Sequence, residues 1–155
     1  MVVTRGDLAP DFVLPGVQDG LRRDHSLAEH RGRPVVLVFY PGDNTPVCTV
    51  QLNTYTSDLG RFDRLGVDIL AISPQDLDSH ESFARSEGGF GFPLLADVDE
   101  VVAEAYGVLG PLGFYRRSIV VVDEAGRVSY VHRGHAASNF LPTSELVKVL
   151  DRQAS

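Results

Sequence analysis

One short apolar run constrains this chain more than any other feature of its sequence. Residues 34–40, PVVLVFY, are continuously apolar and rich in β-branched side chains. A strand that faces water on one side alternates between apolar and polar residues, whereas a strand covered on both faces does not. This run therefore predicts a strand in the middle of a sheet, with other elements packed against both of its faces.

Turn and helix signals follow this run directly. Residues 41–44 end the strand, and Thr45 and Pro46 then have the pattern of an N-cap followed by proline at the first helical position. Apolar residues continue at helical spacing through Leu52, Tyr55, Leu59 and Phe62. A second buried strand is predicted at residues 67–73, and a strand–helix–strand unit of this length predicts parallel pairing through a right-handed crossover.

The rest of the chain predicts further elements. A short strand is expected near residues 12–14, helices at about 77–87, 99–106 and 143–152, an extended piece at 92–95, and an antiparallel hairpin of strands 118–123 and 127–132 around Gly126. The order βαβ, helix, ββα predicts an α/β, thioredoxin-like fold with a central mixed β-sheet flanked by helices. Since composition does not shift and no segment repeats, residues 1–155 are expected to form a single domain.

Charge and hydropathy exclude several classes of protein. The formal net charge is −7, so the chain lacks the basic surface that a nucleic acid backbone requires. The longest apolar run is far shorter than the roughly 20 residues that span a bilayer. Residues 1–11 lack the basic and apolar regions of a secretory signal. We therefore expect a soluble, cytoplasmic protein with neither a nucleic acid nor a membrane partner.

The chain contains one cysteine, Cys48, which excludes an internal disulfide, a zinc cage and a Cys-x-x-Cys pair. Cys48 follows the carboxyl end of a parallel strand, where α/β proteins place their ligand sites. With Thr45 as the N-cap it is the third helical residue, where unpaired N–H groups and the helix dipole favour the reactive thiolate. The alternative is an inert core cysteine, since Cys48 also continues the apolar stripe of the helix.

A pair of arginines precedes the first hairpin strand. Because that strand runs opposite to the parallel strands, Arg116 and Arg117 should lie at the same sheet edge as Cys48. A guanidinium there would stabilise a thiolate and donate hydrogen bonds to an oxygen under attack. The alternative is that the pair is solvated surface.

These residues resemble a known family. The string YPGDNTPVCT at residues 40–49 is similar to the active-site loop of peroxiredoxins, the thiol peroxidases of the AhpC/TSA group, and most resembles the Q type, also called bacterioferritin comigratory protein. Residues 6–12, 26–32 and 92–97 match other family segments in the same order. The family's active-site arginine usually stands six residues before the hairpin aspartate, Asp123, which corresponds to Arg117.

The resemblance implies peroxide reduction without a cofactor, through a sulfenic acid on Cys48. It implies that Thr45 places its hydroxyl near sulfur and peroxide, that Arg117 stabilises the thiolate and the developing charge, and that Pro41 shields the pocket from water. We expect these residues and Gln51 to bind hydrogen peroxide or a small organic hydroperoxide. Cys48, Thr45, Arg117 and Pro41 are the expected catalytic residues.

The chain departs from the Q-type pattern. That type often has a glutamate three residues after the reactive cysteine and a second cysteine five residues after it or in the following helix; here those positions are Gln51, Asn53 and approximately Ala84. Gln51 can still donate or accept a hydrogen bond. The chain thus resembles a one-cysteine variant, monomeric or dimeric, that needs an external thiol: a low-molecular-weight thiol or a thioredoxin- or glutaredoxin-like protein.

Other candidate sites are weaker. The histidines lack ligand spacing with acidic neighbours, so we expect no metal and interpret each histidine as a surface or locally bonded residue: His25, His30, His80, His132 and His135. Glycines at 88–91 and 107–113 match no phosphate or dinucleotide loop and indicate turns. A Cys/His hydrolase would need a histidine beside Cys48, which nothing in the sequence predicts. A non-catalytic redox sensor or binding module, with Cys48 oxidation as the signal, stays open.

Overall fold

The computed structural model describes residues 3–134 and 140–154. Its strands are β1 (Val13–Gln18), β2 (Leu21–Ser26), β3 (Val35–Phe39), β4 (Asp68–Ser73), β5 (Leu94–Ala96), β6 (Ser118–Val122) and β7 (Val128–Arg133). Its helices are α1 (Pro46–Ser57), α2 (Leu59–Arg64), α3 (Leu77–Ser86), α4 (Val101–Ala105) and α5 (Thr143–Ala154), with a 3₁₀ helix at Ala28–His30.

The strands form one mixed seven-stranded sheet in the order β2-β1-β5-β4-β3-β6-β7. Strands β3, β4 and β5 are parallel to one another, whereas β6 runs antiparallel to β3 and β7 antiparallel to β6. This arrangement confirms the predicted thioredoxin-like α/β fold with a central mixed sheet flanked by helices. It also confirms the parallel β3–α–β4 unit and the antiparallel β6–β7 hairpin, whose turn contains Gly126 at a φ of 85°.

Strand β3 is buried on both faces, as its sequence predicts. None of its residues is more than 1% exposed. Val36 and Val38 belong to the core layer that includes residues of α1 and α5, whereas Leu37 and Phe39 belong to the layer on the other face, next to α4. Because successive side chains of a strand point in opposite directions, β3 contributes residues to two separate core layers.

The helix that follows β3 begins where the sequence predicts, with Thr45 as N-cap and Pro46 as the first helical residue. It does not continue to Phe62 in one piece, because α1 ends at Ser57 and α2 starts at Leu59. Aspartate and glycine are weak helix formers, and Asp58 and Gly60 stand at this break. The bend still leaves the Phe62 ring in edge contact with Tyr55, with ring centroids 5.9 Å apart.

The sequence analysis missed one strand. The strand predicted near residues 12–14 is the start of β1, and β2 pairs with it through a two-residue turn, Asp19 and Gly20, that has positive φ at both positions. Strand β2 has the sequence LRRDHS and is exposed at four of its six residues, so it lacks an apolar signature. The signal that was available is the Asp-Gly pair, which favours a tight hairpin turn.

The other predicted elements differ from the observed ones only at their ends. The helices expected at 77–87, 99–106 and 143–152 are α3, α4 and α5, and the extended piece expected at 92–95 contains the start of β5. In the part of the chain that the structure describes, no helix is both long and apolar enough to cross a membrane.

The two-sided burial of β3 predicts a matched pair of stability effects. Leu37→Ala removes a fully buried side chain and should lower the free energy of unfolding by about 2–5 kcal/mol. Leu21→Ala, at a strand residue that is 76% exposed, should change it by less than about 0.5 kcal/mol. Urea denaturation followed by circular dichroism measures both values, and equal losses would contradict this assignment of the core.

Candidate active site

Three chain segments meet at the carboxyl edge of the parallel strands. Strand β3 ends at Phe39, which pairs with Ser118, the first residue of β6. The loop that leaves β3 and the arginines that enter β6 are therefore neighbours across one strand pair. Ligand sites of α/β sheets occur at this kind of edge.

Cys48 lies in the first turn of α1 and is fully buried. The first turn is formed, since the Thr49 amide donates to the Thr45 carbonyl at 2.9 Å. The amides of a first helical turn have no carbonyl partner within the helix, and together with the helix dipole they favour negative charge. The sulfur is therefore buried at the positively polarised end of α1.

Arg117 contacts this sulfur directly. Its Nη1 donates to Sγ of Cys48 at 3.2 Å and to Oε1 of Gln51 at 2.8 Å, and the arginine is only 4% exposed. Gln51 is fully buried one helical turn after the cysteine. Because its amide is neutral, Gln51 orients the guanidinium without neutralising its charge. The structure therefore places a cation within hydrogen-bond distance of the sulfur, in a buried setting where charges interact more strongly than in water.

The neighbouring arginine points elsewhere. Arg116 donates from Nε to the Gly134 carbonyl at 3.0 Å and from Nη2 to the Arg133 carbonyl at 3.2 Å. It therefore binds the end of β7, while Arg117 faces the sulfur. Successive side chains at the start of a strand point to opposite faces, which agrees with this geometry, and neither arginine is plain solvated surface.

Thr45 and Pro41 are less closely engaged. The hydroxyl of Thr45 donates to the Gly42 carbonyl at 3.2 Å and makes no helix-capping bond. Within the described residues it makes no hydrogen bond to Sγ of Cys48. Pro41 is half-buried at the start of the loop. The roles that the family resemblance implies for these two side chains stay predictions.

A second polar cluster lies behind the loop, and the sequence analysis missed it. The buried carboxylate of Asp43 accepts hydrogen bonds from the Tyr40 hydroxyl at 2.8 Å and the Ser79 hydroxyl at 2.7 Å. Its Oδ2 also lies 2.7 Å from Nδ1 of His80, a residue with no exposed surface. One signal could have found this cluster: α3 follows the carboxyl end of β4, so its first turns had to lie near the loop that follows β3.

The tyrosines around the site are neutral donors. Burial, with the nearby Asp43 carboxylate, raises the pKa of Tyr40 well above its ordinary value of 10. Burial also raises the pKa of Tyr55 to about 12, and its hydroxyl donates to the Leu141 carbonyl. Neither phenol ionises near neutral pH, so neither can act there as a base toward Cys48.

The structure corrects the interpretation of the histidines as surface or locally bonded residues. His80 is bonded to Asp43, which is distant in sequence, and His25 is buried on β2. His30 is partly buried with Nδ1 2.8 Å from Asp68, His132 is half-buried on β7, and His135 lies outside the described residues. Among the described residues no group of three or more acidic, histidine or cysteine side chains could hold a metal.

A cavity of about 1330 Å³ runs along β7 and α5 and reaches the end of the sheet opposite to Cys48. It is lined by residues at the start of β3, such as Pro34, and by the β6–β7 turn around Glu124. Cys48 is not among its lining residues. The reactive groups are therefore at the other edge, in the closely packed region between α1 and β6.

Comparison with known proteins places this chain in a family. The AhpC/TSA family matches residues 5–131. A Mycobacterium tuberculosis protein assigned to the peroxiredoxins is 40% identical over 133 residues, which cover 81% of this chain and 82% of that protein. Chloroplastic peroxiredoxin Q of Oryza sativa subsp. japonica is 36% identical over 132 residues, which cover 84% of this chain and 59% of that protein.

Solved structures show the same fold. The reduced 2-Cys peroxiredoxin of Plasmodium vivax superposes with a TM-score of 0.89 at 25% identity, covering 95% of this chain and 80% of that one. AhpC of Mycobacterium bovis gives a TM-score of 0.90 at 24% identity over 100% of this chain and 94% of its own. With a family match over most of its length and a buried cysteine bonded to an arginine, the chain belongs to the AhpC/TSA family of thiol-dependent peroxidases, the peroxiredoxins.

Proposed function

We propose that this peroxiredoxin reduces hydrogen peroxide and small organic hydroperoxides through Cys48. The hydrogen bond from Arg117 to the buried Sγ, at the first turn of α1, is the observation that carries the proposal. Peroxides are small, and a fully buried sulfur favours a substrate that can enter through a minor displacement of the loop at residues 41–45.

The reaction is a two-electron transfer from sulfur to oxygen. The Cys48 thiolate attacks the terminal oxygen of the O–O bond, that bond breaks, and the other oxygen takes up a proton and leaves as water or alcohol. Cys48 becomes a sulfenic acid, the first step of thiol oxidation. Arg117 stabilises both the thiolate and the negative charge that develops on the leaving oxygen, and no cofactor takes part.

The residues near the sulfur have distinct proposed roles. Gln51 orients Arg117 through its Oε1, and its amide Nε2 can donate a hydrogen bond to a bound peroxide. Pro41 covers the sulfur from the loop side. For Thr45 we propose a bond to peroxide once substrate displaces the contact to Gly42. Two statements from the sequence stay predictions: that the chain belongs to the Q type, and that residues 1–155 form a single domain.

Regeneration requires a thiol from outside the chain. The sequence has no second cysteine, so the sulfenic acid must be attacked by another molecule, either a small thiol or a thioredoxin- or glutaredoxin-like protein. Water leaves and a mixed disulfide on Cys48 forms, which a second thiol reduces. The cytoplasmic location that the sequence predicts would supply such thiols. A Cys48–Cys48 bridge between two copies is disfavoured, because both buried sulfurs would have to be exposed.

A second candidate function is redox sensing. The fully buried sulfur and the absence of an internal resolving thiol would both slow regeneration, and a long-lived sulfenic acid can act as a signal. Steady-state consumption of peroxide with added dithiothreitol distinguishes the two. Repeated turnover identifies an enzyme, whereas one equivalent consumed per chain identifies a sensor.

The two adjacent arginines provide a matched test of the site. Arg117→Lys keeps the charge but loses the planar group that bonds Sγ and Gln51 together, so the rate of Cys48 oxidation by hydrogen peroxide should fall on the order of 100-fold. Arg116→Lys should leave that rate within about twofold, because the hydrogen bonds that Arg116 makes within the described part of the chain go to carbonyls at the end of β7. Stopped-flow measurements give both rates, and a reversed order would refute the role of Arg117.

The regeneration route predicts a specific oxidised species. After one equivalent of peroxide, intact mass should show a monomer carrying one added oxygen, which an added small thiol converts to a mixed disulfide on Cys48. Excess peroxide without thiol should oxidise Cys48 further, irreversibly, to the sulfinic acid. Cys48→Ser should show none of these changes. A disulfide-linked dimer as the main product on a non-reducing gel would overturn the external-thiol route.

A further inference from the structure

Asp43 connects the loop after β3 to the rest of the molecule. Its side chain has no exposed surface although it belongs to a loop. Oδ1 accepts from Tyr40 at 2.8 Å, and Oδ2 accepts from Ser79 at 2.7 Å and lies 2.7 Å from Nδ1 of His80. The Asp43 amide also donates to Oε1 of Gln75 at 3.2 Å. The loop is thereby bonded to β3, to the β4–α3 connection and to α3.

His80 extends this connection to a further strand. Its Nε2 lies 2.9 Å from the Leu95 carbonyl of β5, and since a carbonyl only accepts, Nε2 carries a hydrogen. Its Nδ1 lies 2.7 Å from Oδ2 of Asp43, within hydrogen-bond distance. Both ring nitrogens are therefore used, one toward β5 and one toward the loop. Removal of either partner would leave a buried polar group unpaired, which is costly.

The loop that Asp43 holds leads directly to the reactive cysteine. Asn44 follows with a positive φ of 62° and Thr45 is the N-cap of α1. Cys48 is only three residues beyond that N-cap, and its bond to Arg117 requires the first turn of α1 to stay in place. An error in the position of reacting groups of about 1 Å can reduce a rate on the order of 100-fold.

We propose that Asp43 and His80 are positioning residues that keep the first turn of α1 closed, with Cys48 buried and bonded to Arg117. They touch neither sulfur nor peroxide and act through the loop at residues 41–45. This inference rests on the proposed peroxidase function only in assuming that the reaction of Cys48 is peroxide reduction. The control of Cys48 burial by Asp43 and His80 does not depend on it.

Two substitutions of His80 separate its two bonds. His80→Asn places an amide N–H near the position of Nδ1 and can keep the bond to Asp43, whereas His80→Gln places one near Nε2 and can keep only the bond to Leu95. Two rates are measured for each variant: oxidation of Cys48 by hydrogen peroxide, and alkylation of Cys48 by iodoacetamide. The second rate reports access to the sulfur.

We expect His80→Asn to remain close to the parent protein in both rates. For His80→Gln we expect oxidation by peroxide to slow on the order of tenfold while alkylation accelerates, because the loop opens and the bond from Arg117 is lost. His25→Asn removes another buried histidine, on β2, and is the control for general destabilisation. It should lower the midpoint of thermal unfolding with little effect on either rate.

The proposal is wrong if the asparagine and glutamine variants behave alike, or if oxidation and alkylation of the glutamine variant slow together. Should His80→Gln fail to fold, Ser79→Ala removes one donor to Asp43 at a half-buried position. Like His80→Gln, the Ser79→Ala variant should oxidise more slowly and be alkylated faster than the parent protein, but by smaller factors. Unchanged rates would refute the proposal. If the parent protein does not react with peroxide, the peroxidase function fails, while the alkylation rates still decide the positioning role.

Discussion

Strand β3 lies between β4 and β6 and is covered on both faces, and the geometry of the reactive edge depends on that burial. A strand held on four sides cannot shift along its neighbours without moving apolar side chains into the wrong layer. The positions at which the chain leaves β3 and enters β6 are therefore fixed relative to each other. Cys48 comes shortly after the end of β3, and Arg117 directly precedes the start of β6. Strand register therefore sets a contact between residues 69 positions apart.

The edge itself is polar but buried, and we propose that this combination makes Cys48 reactive. Two hydrogen-bonded groups flank the first turn of α1: Arg117 with Gln51 on the sulfur side, and Asp43 with His80 on the loop side. Polar groups in a low-dielectric setting interact strongly when all of them are paired. In our proposal the first group stabilises a negative sulfur and the second keeps the sulfur in place. In our proposal a small peroxide reaches the buried sulfur after a minor displacement of the loop at residues 41–45, whereas a larger thiol reductant requires the first turn of α1 to open.

The comparison between sequence and structure shows which patterns carry information. The apolar runs of β3, β4 and β6 predict buried strands because no polar residue interrupts them. Strand β2 was missed because an exposed edge strand needs no apolar pattern, although its Asp19-Gly20 turn was visible. His80 was misread for another reason. Its partners, Asp43 and the Leu95 carbonyl, are far away in sequence, and no local pattern reveals a bond of that kind.

The sequence by itself determined the fold class, the parallel unit around β3, the position of Cys48 in the first turn of a helix and the edge at which Arg117 enters β6. These features follow from side-chain periodicity, helix-start signals and chain direction, which are properties of neighbouring residues. Only the tertiary structure decided that Arg117 bonds both Cys48 and Gln51, that Thr45 bonds Gly42, and that His80 binds the loop through Asp43. Hydrogen bonds between distant side chains depend on distances within an ångström, and only the packing of the whole sheet and its helices sets such distances.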